Sequence, residues 1–380
     1  MRILISGGGT AGHVNPALAI AGRLRSDDET NVIEYVGTKR GLETKLVPRE
    51  GYKLHTVTVR GFKRSLLAPV NNIEAAVRSV TSIWEAEHII KRFRPDVVIG
   101  TGGYVCWPVL RAAAHLGIPT AVHEQNAVAG LTVRMLSKYV DKIMISFEAS
   151  RATFEQQDKV VLVGNPISAE MLSMTREEAR RRLGFDDETP LILSYGGSLG
   201  AEKVNENVLS VIESFSEKQN VYHVHATGRA GWKAIRGKLL ARGYDDHEDY
   251  VTKGGVTVRE YIYDMPVLLA AADVVICRAG AMTLSELAAM GKAAIIIPSP
   301  NVTNDQQTKN ARVFENIGGA ILLEEKNLTP AVLEEKLAQL IREKEKRESL
   351  SCNIRTLAVL DSLDRIDKVV RELTAGKGKA

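Results

Sequence analysis

Three glycine-rich turns and one short helix start carry the residue types that could do chemistry in this chain. The first turn, Gly7-Gly8-Gly9-Thr10-Ala11-Gly12-His13, follows the apolar run Met1 to Ser6, and the second, Gly196-Gly197-Ser198-Leu199-Gly200-Ala201, follows Pro190 to Tyr195. Glycine lets backbone approach a ligand closely, and the free N–H groups of the helix that follows favour an anion. A third cluster, Gly100-Thr101-Gly102-Gly103-Tyr104, ends the run Asp96 to Ile99. Such clusters are often only tight turns. Three at the carboxyl ends of parallel strands suit diphosphate groups on both partners of one reaction. Further on stand Cys277-Arg278-Ala279-Gly280-Ala281-Met282-Thr283-Leu284-Ser285-Glu286, then Pro298-Ser299-Pro300 and Asn304-Asp305-Gln306-Gln307. Ala279-Gly280-Ala281 permits a close turn, Thr283 or Ser285 can line the first helical turn, and Glu286 could accept both hydroxyls of a ribose or could be a solvated helix residue.

Residues 7 to 12 also satisfy G-x-G-x-x-G, the dinucleotide fingerprint. That site wants an acidic residue at the end of the second strand. Here the strand ends Tyr35-Val36-Gly37-Thr38-Lys39 with Glu34 inside it, which argues against NAD. His223 and His225 alternate along a strand-like run and read as sheet packing rather than as metal ligands.

These loops need strands and helices to hold them. Short β-branched runs alternate with helical patterns, the signature of parallel sheets covered by helices, so the fold class is α/β. Strands are predicted in the first half at Arg2 to Ser6, Val32 to Val36, Leu54 to Val59, Asp96 to Gly100, Thr120 to His123 and Lys142 to Ser146. In the second half they are predicted at Leu191 to Tyr195, Val221 to Ala226, Thr257 to Glu260, Val274 to Cys277, Ala294 to Pro298 and Ala320 to Leu323. Gly164-Asn165-Pro166 marks a hinge. An amphipathic helix is expected around Thr175 to Leu183, and the end reads as two helices, Pro330 to Arg347 and Leu350 to Leu373, before a Gly/Lys tail.

With 380 residues, 44% apolar and 25% charged, the chain fits two domains of an ordinary globular protein. A formal charge of +4 implies no nucleic acid by itself. Cys106, Cys277 and Cys352 form no C-x-x-C pair, which suits a reducing compartment. The N-terminus reads as a first strand and not a signal peptide, and no run approaches the roughly 20 apolar residues of a membrane span. Any membrane contact is therefore expected to be peripheral.

In this combination and order the motifs resemble the bacterial N-acetylglucosaminyltransferases of peptidoglycan lipid-intermediate synthesis, in glycosyltransferase family 28. The likeness runs from Gly-Gly-Thr-Ala-Gly-His through Gly103-Tyr104-Val105 and His123-Glu124-Gln125-Asn126 to Gly-Gly-Ser and Arg-Ala-Gly-Ala-Met-Thr-Leu-Ser-Glu with Gln-Gln. It implies a GT-B architecture, two Rossmann-like domains with parallel sheets facing across a cleft. Residues 1–164 would be the acceptor and membrane-associating domain and 165–357 the UDP-N-acetylglucosamine domain, with a last helix, about 358–375, packing back on the first. The implied reaction moves N-acetylglucosamine, with inversion, to the C4 hydroxyl of a muramoyl pentapeptide on undecaprenyl pyrophosphate.

Carried over by residue, the resemblance implies that Ser198, Met282 and Thr283 meet the donor diphosphate, Ile262 meets uracil through its backbone and Met265 packs beside the nucleotide. Glu286 would bind the ribose, and Gln306 and Gln307 the sugar. Thr10, Ala11, Gly12, His13, Gly103, Tyr104 and Asn126 would belong to the acceptor side. Two departures stand out: Ile167-Ser168 follow Gly-Asn-Pro where the family often carries an arginine, and Leu199 replaces a polar residue.

For the base, His13 at the start of a helix is expected to be a neutral acceptor, or else to position the acceptor, with His123 and Glu124 as competitors. No D-x-D pair occurs, so no metal or cofactor is expected for the chemistry. Ile73, Val77, Val80 and Trp84 share one helical stripe that reads either as core or as a membrane patch. In the second reading Leu66, Leu67 and Trp84 enter the cytoplasmic leaflet, with Lys63 and Arg64 at the headgroups. The expected setting is the cytoplasmic face of the cell membrane, beside other cell-wall synthesis enzymes. Alternatives are a diacylglycerol-type GT-B transferase, a UDP-N-acetylglucosamine 2-epimerase-like isomerase and a non-catalytic nucleotide-binding adaptor.

Overall fold

The computed structural model describes residues 1–59 and 69–375, with residues 69–80 and Thr303 described by backbone alone. The chain divides into two compact units, Met1–Ile167 with Val359–Ala380, and Ser168–Ala358.

Among the described residues the first unit is built on seven strands: β1 (Arg2–Ser6), β2 (Val32–Gly37), β3 (Lys53–Thr56), β4 (Val97–Gly100), β5 (Thr120–Glu124), β6 (Lys142–Ile145) and β7 (Val160–Leu162). All pair in parallel, in the order β3-β2-β1-β4-β5-β6-β7. The seventh strand corrects the six-strand expectation, because Val160 to Leu162 is too short for its alternation to register as a strand. Burial on both faces explains the near-continuous apolar strands. Ile3 and Ile5 pack with the helix Ala11–Asp27, while Leu4 points into the opposite layer with the helices Pro69–Phe93 and Cys106–His115.

The second unit contains β8 (Leu191–Tyr195), β9 (Tyr222–Ala226), β10 (Asp245–Asp246), β11 (Tyr250–Lys253), β12 (Val256–Arg259), β13 (Val274–Cys277), β14 (Ala293–Ile296) and β15 (Ile321–Leu322). Their order is β10-β11-β12-β9-β8-β13-β14-β15, parallel from β12 to β15. β10 and β11 were not expected. β11 and β12 form an antiparallel hairpin across Gly254-Gly255, with Lys253 opposite Val256 and Gly254 at φ 57°. The Gly-Gly pair is itself the hairpin signal.

The C-terminal segment departs most from expectation, with three helices, Pro330–Arg342, Lys344–Arg355 and Ser362–Ala375, in place of two. At the first break Glu343 leaves the helical region, and Arg347 donates to the carbonyls of Leu340 and Ile341, satisfying a helix end. The second break carries the chain from one unit to the other. Val359 then packs against Gly164, where φ is +79° and a Cβ would stand 2.6 Å from the valine Cβ. Ile366, Val369 and Val370, spaced for one helical face, enter the core beside the helix Ala11–Asp27. Each such burial contributes about 1.5–3 kcal/mol, enough to hold this helix on the first unit.

Both sheets reverse direction once, between β1 and β4 and between β8 and β13. Ligands of open α/β sheets bind outside the carboxyl ends of the strands at such points. All three glycine turns and the Arg278–Gly280 turn lie there.

Candidate functional site

In the first unit the turn after β1 and the turn after β4 interlock. Gly102 and Gly103 adopt φ of +106° and +81°, and a Cβ on Gly103 would strike the Gly8 carbonyl. A Cβ on Gly102 would stand 2.6 Å from the His13 ring. His13 lies in the first turn of the helix Ala11–Asp27, whose opening turn carries no acidic residue. Its Nδ1 is 3.1 Å from the Gly8 carbonyl and 3.2 Å from Thr10 Oγ1. A carbonyl can only accept, so Nδ1 carries the proton and Nε2 of the neutral ring keeps its lone pair. Burial is the leading cause that lowers the His13 pKa below 6.5, opposed by the Gly8 bond and by Glu43. Burial thus favours the neutral ring, whose Nε2 can accept, and adds to the helix end on which His13 sits.

The competing pair is occupied elsewhere. His123 is fully buried, donates from Nε2 to the Gly164 carbonyl (2.9 Å) and accepts at Nδ1 from Gln125 Nε2 (2.9 Å). Burial lowers its pKa to about 4. Glu124 accepts from the Asn126 amide and side chain, both at 2.9 Å, and from the Gly130 amide at 2.8 Å. Both residues pin the loop after β5 and present Asn126, while Tyr104, Thr10 and Gly12 stand exposed.

In the second unit the turn after β8 is closed by the Gly197 carbonyl accepting from the Gly200 amide, 2.9 Å, with both glycines at positive φ. Ser198 and Leu199 are exposed at its tip, Leu199 to 76%. The helix Ala281–Met290 starts at Gly280 with no side-chain cap and no acidic residue in its first turn, where Met282 and Thr283 stand. Asn310 holds the turn before it by donating to the Ala279 carbonyl (3.3 Å).

Glu286 lies one turn into the same helix without a hydrogen-bond donor among the described residues, and burial alone raises its pKa to about 7. A half-buried carboxylate in that state is suited to accept a pair of hydroxyls. Ile262 is buried, at 3% exposure, while its backbone N–H and C=O form no backbone hydrogen bond among the described residues. Met265 begins the helix Met265–Ala271. Gln307 accepts from the Ser299 amide at 2.8 Å, which leaves its NH2 group as a donor. Gln306 and Gln307 open the helix Gln306–Asn316 after two residues of positive φ, Asn304 (59°) and Asp305 (53°). Such backbone is costly for non-glycine residues and clusters at ligand sites.

Three contributors escaped sequence reasoning. Arg278, in the turn after β13, donates to the carbonyls of Ile297 (3.2 Å) and Pro298 (3.1 Å) and pairs with Glu325. It ties that turn to the loop bearing the two glutamines. Tyr35 donates to the Gly7 carbonyl (2.9 Å), and Glu43 accepts from the Gly9 amide (3.1 Å). A strand-end Gly37-Thr38 with an acid five residues after the threonine was the only local signal. His223 and His225 share the Ser194 hydroxyl at 2.8 Å each inside the sheet, and no cluster able to hold a metal occurs among the described residues. Of the membrane residues, Lys63, Arg64, Leu66 and Leu67 lie outside the described residues, and Trp84 is 74% exposed. No helix of the described residues is long and apolar enough to cross a membrane.

Two doubly wound units, each with glycine turns at its switch point, are the domain plan of the GT-B fold. Residues 3–145 match the glycosyltransferase family 28 N-terminal domain and residues 191–366 its C-terminal domain, and the chain belongs to that family. It is 42% identical over 377 residues to the UDP-N-acetylglucosamine–N-acetylmuramyl-(pentapeptide) pyrophosphoryl-undecaprenol N-acetylglucosamine transferase of Acetivibrio thermocellus, covering 99% of both chains. The same enzyme of Bacillus cytotoxicus is 38% identical over 373 residues, 98% of this chain and 99% of that one. The crystal structure of Acinetobacter baumannii MurG superposes with a TM-score of 0.75 at 26% identity, over 98% of this chain and 99% of that one. A UDP-GlcNAc 2-epimerase from Neisseria meningitidis, bound to UDP-GlcNAc, shares the fold at TM-score 0.65 and 16% identity, over 98% of this chain and all of that one.

Proposed function

We propose that the chain transfers N-acetylglucosamine from UDP-N-acetylglucosamine to the C4 hydroxyl of undecaprenyl-pyrophosphoryl-N-acetylmuramoyl pentapeptide, with inversion at the anomeric carbon. The observation that carries this reading is the end-to-end 42% identity to a transferase of that name, with the family motifs placed at both switch points. The first unit takes the lipid-linked acceptor at Thr10, Ala11, Gly12, Gly103, Tyr104 and Asn126. The second takes the donor: Ile262 reads uracil, Met265 packs beside it, Glu286 accepts the ribose hydroxyls, and Gln306 and Gln307 bind the sugar.

In the reaction His13 Nε2 removes the acceptor hydroxyl proton, and the oxygen lone pair forms the new bond to the anomeric carbon. The bond from that carbon to UDP breaks, and its electron pair leaves on the β-phosphate oxygen. Ser198, Met282, Thr283 and the N–H groups of the Ala281–Met290 helix stabilise that charge in place of a metal. The enzyme works as a peripheral protein on the cytoplasmic face of the membrane, held through Trp84 and the segment containing Lys63, Arg64, Leu66 and Leu67.

Product analysis tests the reading. With UDP-N-acetylglucosamine and a short-chain polyprenyl-diphosphate muramoyl pentapeptide, mass spectrometry should find the β-linked disaccharide lipid. Transfer to diacylglycerol instead, or release of an epimerised sugar nucleotide without any acceptor, would overturn it.

A further inference from the structure

Glu43 has no accessible surface, yet its carboxylate is fully engaged. Oε1 accepts from the Thr38 amide (2.8 Å) and hydroxyl (2.7 Å), and Oε2 accepts from the Gly9 amide (3.1 Å). Burial pushes its pKa up, but these donors outweigh it and keep the group ionised, below 4.5. The cage is made of missing side chains. A Cβ on Gly8, Gly37 or Gly41 would stand 2.6 Å or less from a Glu43 side-chain atom.

The Gly9 N–H that Glu43 binds and the Gly8 carbonyl that His13 Nδ1 binds belong to one peptide unit. The chain therefore holds a continuous line, His13 Nδ1–H to the Gly8 carbonyl at 3.1 Å and the Gly9 N–H to Glu43 Oε2 at 3.1 Å. Hydrogen bonds at the two ends of an amide polarise one another, so an anion on its N–H makes its carbonyl a stronger acceptor. We infer that Glu43 is a positioning residue of the proton acceptor, acting through the Gly8–Gly9 peptide to fix the His13 tautomer and to stabilise the imidazolium formed when Nε2 takes the hydroxyl proton. This rests on the reading of His13 as the base. Carboxylate–histidine pairs do the same work by direct contact; here a peptide plane lies between them. It also removes the Gly9 amide from the donors open to an acceptor diphosphate.

The other titratable side chains packed on this turn stay neutral. Burial holds the Tyr35 hydroxyl, on the Gly7 carbonyl, far above its ordinary range. It raises the Cys106 thiol, on the Ser6 and Gly102 carbonyls, to about 11. Glu43 is then the charge that faces His13 among the described residues.

The test combines NMR and kinetics on the full chain. With ¹⁵N-labelled histidine, neutral His13 should show its proton on Nδ1, and the Gly9 amide signal should move with the His13 titration. In Glu43→Gln the amide NH2 cannot accept from Gly9, so the His13 midpoint should fall by about 0.5–1 pH unit. kcat should drop about 10- to 100-fold, within the roughly 10²- to 10⁴-fold that a base supplies, with KM for the donor within about twofold. Glu43→Asp should recover part of kcat, and His13→Ala/Glu43→Gln should be no slower than His13→Ala. A proton on Nε2, a Gly9 signal indifferent to His13, an unmoved midpoint or losses that multiply would each overturn the inference. The two wild-type NMR measurements decide it even if Glu43→Gln does not fold. A His13→Ala enzyme of near wild-type kcat sinks the base reading, and with it the catalytic part of this inference, while the NMR results judge the relay separately.

Discussion

Replacing Glu286 with glutamine should move stability and nucleotide binding in opposite directions. Burial raises the carboxyl from an ordinary 4.5 to about 7. Between those values the folded chain holds a proton that the unfolded chain has released, so stability falls as pH rises from 4.5 to about 7 and stays reduced above. At about 1.4 kcal/mol per pH unit the cost at pH 8 is of the order of 3 kcal/mol. Glutamine keeps the shape without the charge, and the variant should be more stable at pH 8 by about 1–3 kcal/mol. Its affinity for UDP should suffer, because hydrogen bonds to a charged acceptor are worth about 1.5–3 kcal/mol each and the amide can replace one at most. A net loss of about 2–4 kcal/mol is a Kd roughly 30- to 1000-fold weaker. Binding also requires the ionised acid, so wild-type affinity for UDP should fall up to about tenfold per pH unit below 7. In the variant the part of the slope owed to this group should vanish, which separates it from ionisation of the UDP phosphate. Titration calorimetry from pH 5.5 to 8.5 and urea unfolding of both proteins measure all of this. A variant that binds UDP like the wild type would refute the assignment of Glu286 to the ribose, and one no more stable at pH 8 than at pH 5 relative to it would refute the raised carboxyl.

Three further outcomes follow from the geometry. His123, His223 and His225 are buried with pKa values depressed by burial, to about 4 for His123 and His225. Unfolded histidine binds protons below about 6.5, so their contribution to stability is complete above that pH and drains as pH falls toward 4; an unfolding midpoint in urea that does not decline over this interval contradicts the buried neutral assignment. Trp84→Glu removes an indole that stands 74% exposed and should weaken sedimentation with vesicles containing anionic phospholipid by about tenfold or more, most visibly at high salt; unchanged binding places the membrane contact elsewhere. Turnover should survive exhaustive dialysis against EDTA, since helix N-termini are assigned the leaving charge; activity lost to the chelator and restored by Mg²⁺ would overturn that assignment.

The sequence was most readable where one local rule acts alone. Strands such as Leu191–Tyr195 and Val274–Cys277 are buried on both faces and show as apolar runs, so their limits were found to the residue. The β11–β12 hairpin hid behind charged and short strands although Gly254-Gly255 announced it, and the C-terminal breaks hid because nothing local in Leu350 to Leu373 says that the chain crosses between units. The site divides the same way. Glycine turns and the residues just beyond them are local features, and the resemblance reached Glu286, Gln306 and Gln307 through contiguous motifs.

Glu43 and Arg278 are different, because what they do depends on partners far along the chain. Glu43 acts on Gly9, 34 residues away, and Arg278 on Glu325, 47 residues away. Neither pairing has a spacing that a periodic pattern could betray. Gly8, Gly37 and Gly41 around Glu43 have no positive φ and are required by the volume of one acid. An alanine at Gly37 should therefore damage the acceptor side as Glu43→Gln does, lowering kcat without moving the donor KM, although position 37 touches neither substrate in the assignment above. If Gly37→Ala folds and turns over like the wild type, the cage is slack and the coupling of that carboxylate to the His13 turn is lost as an explanation.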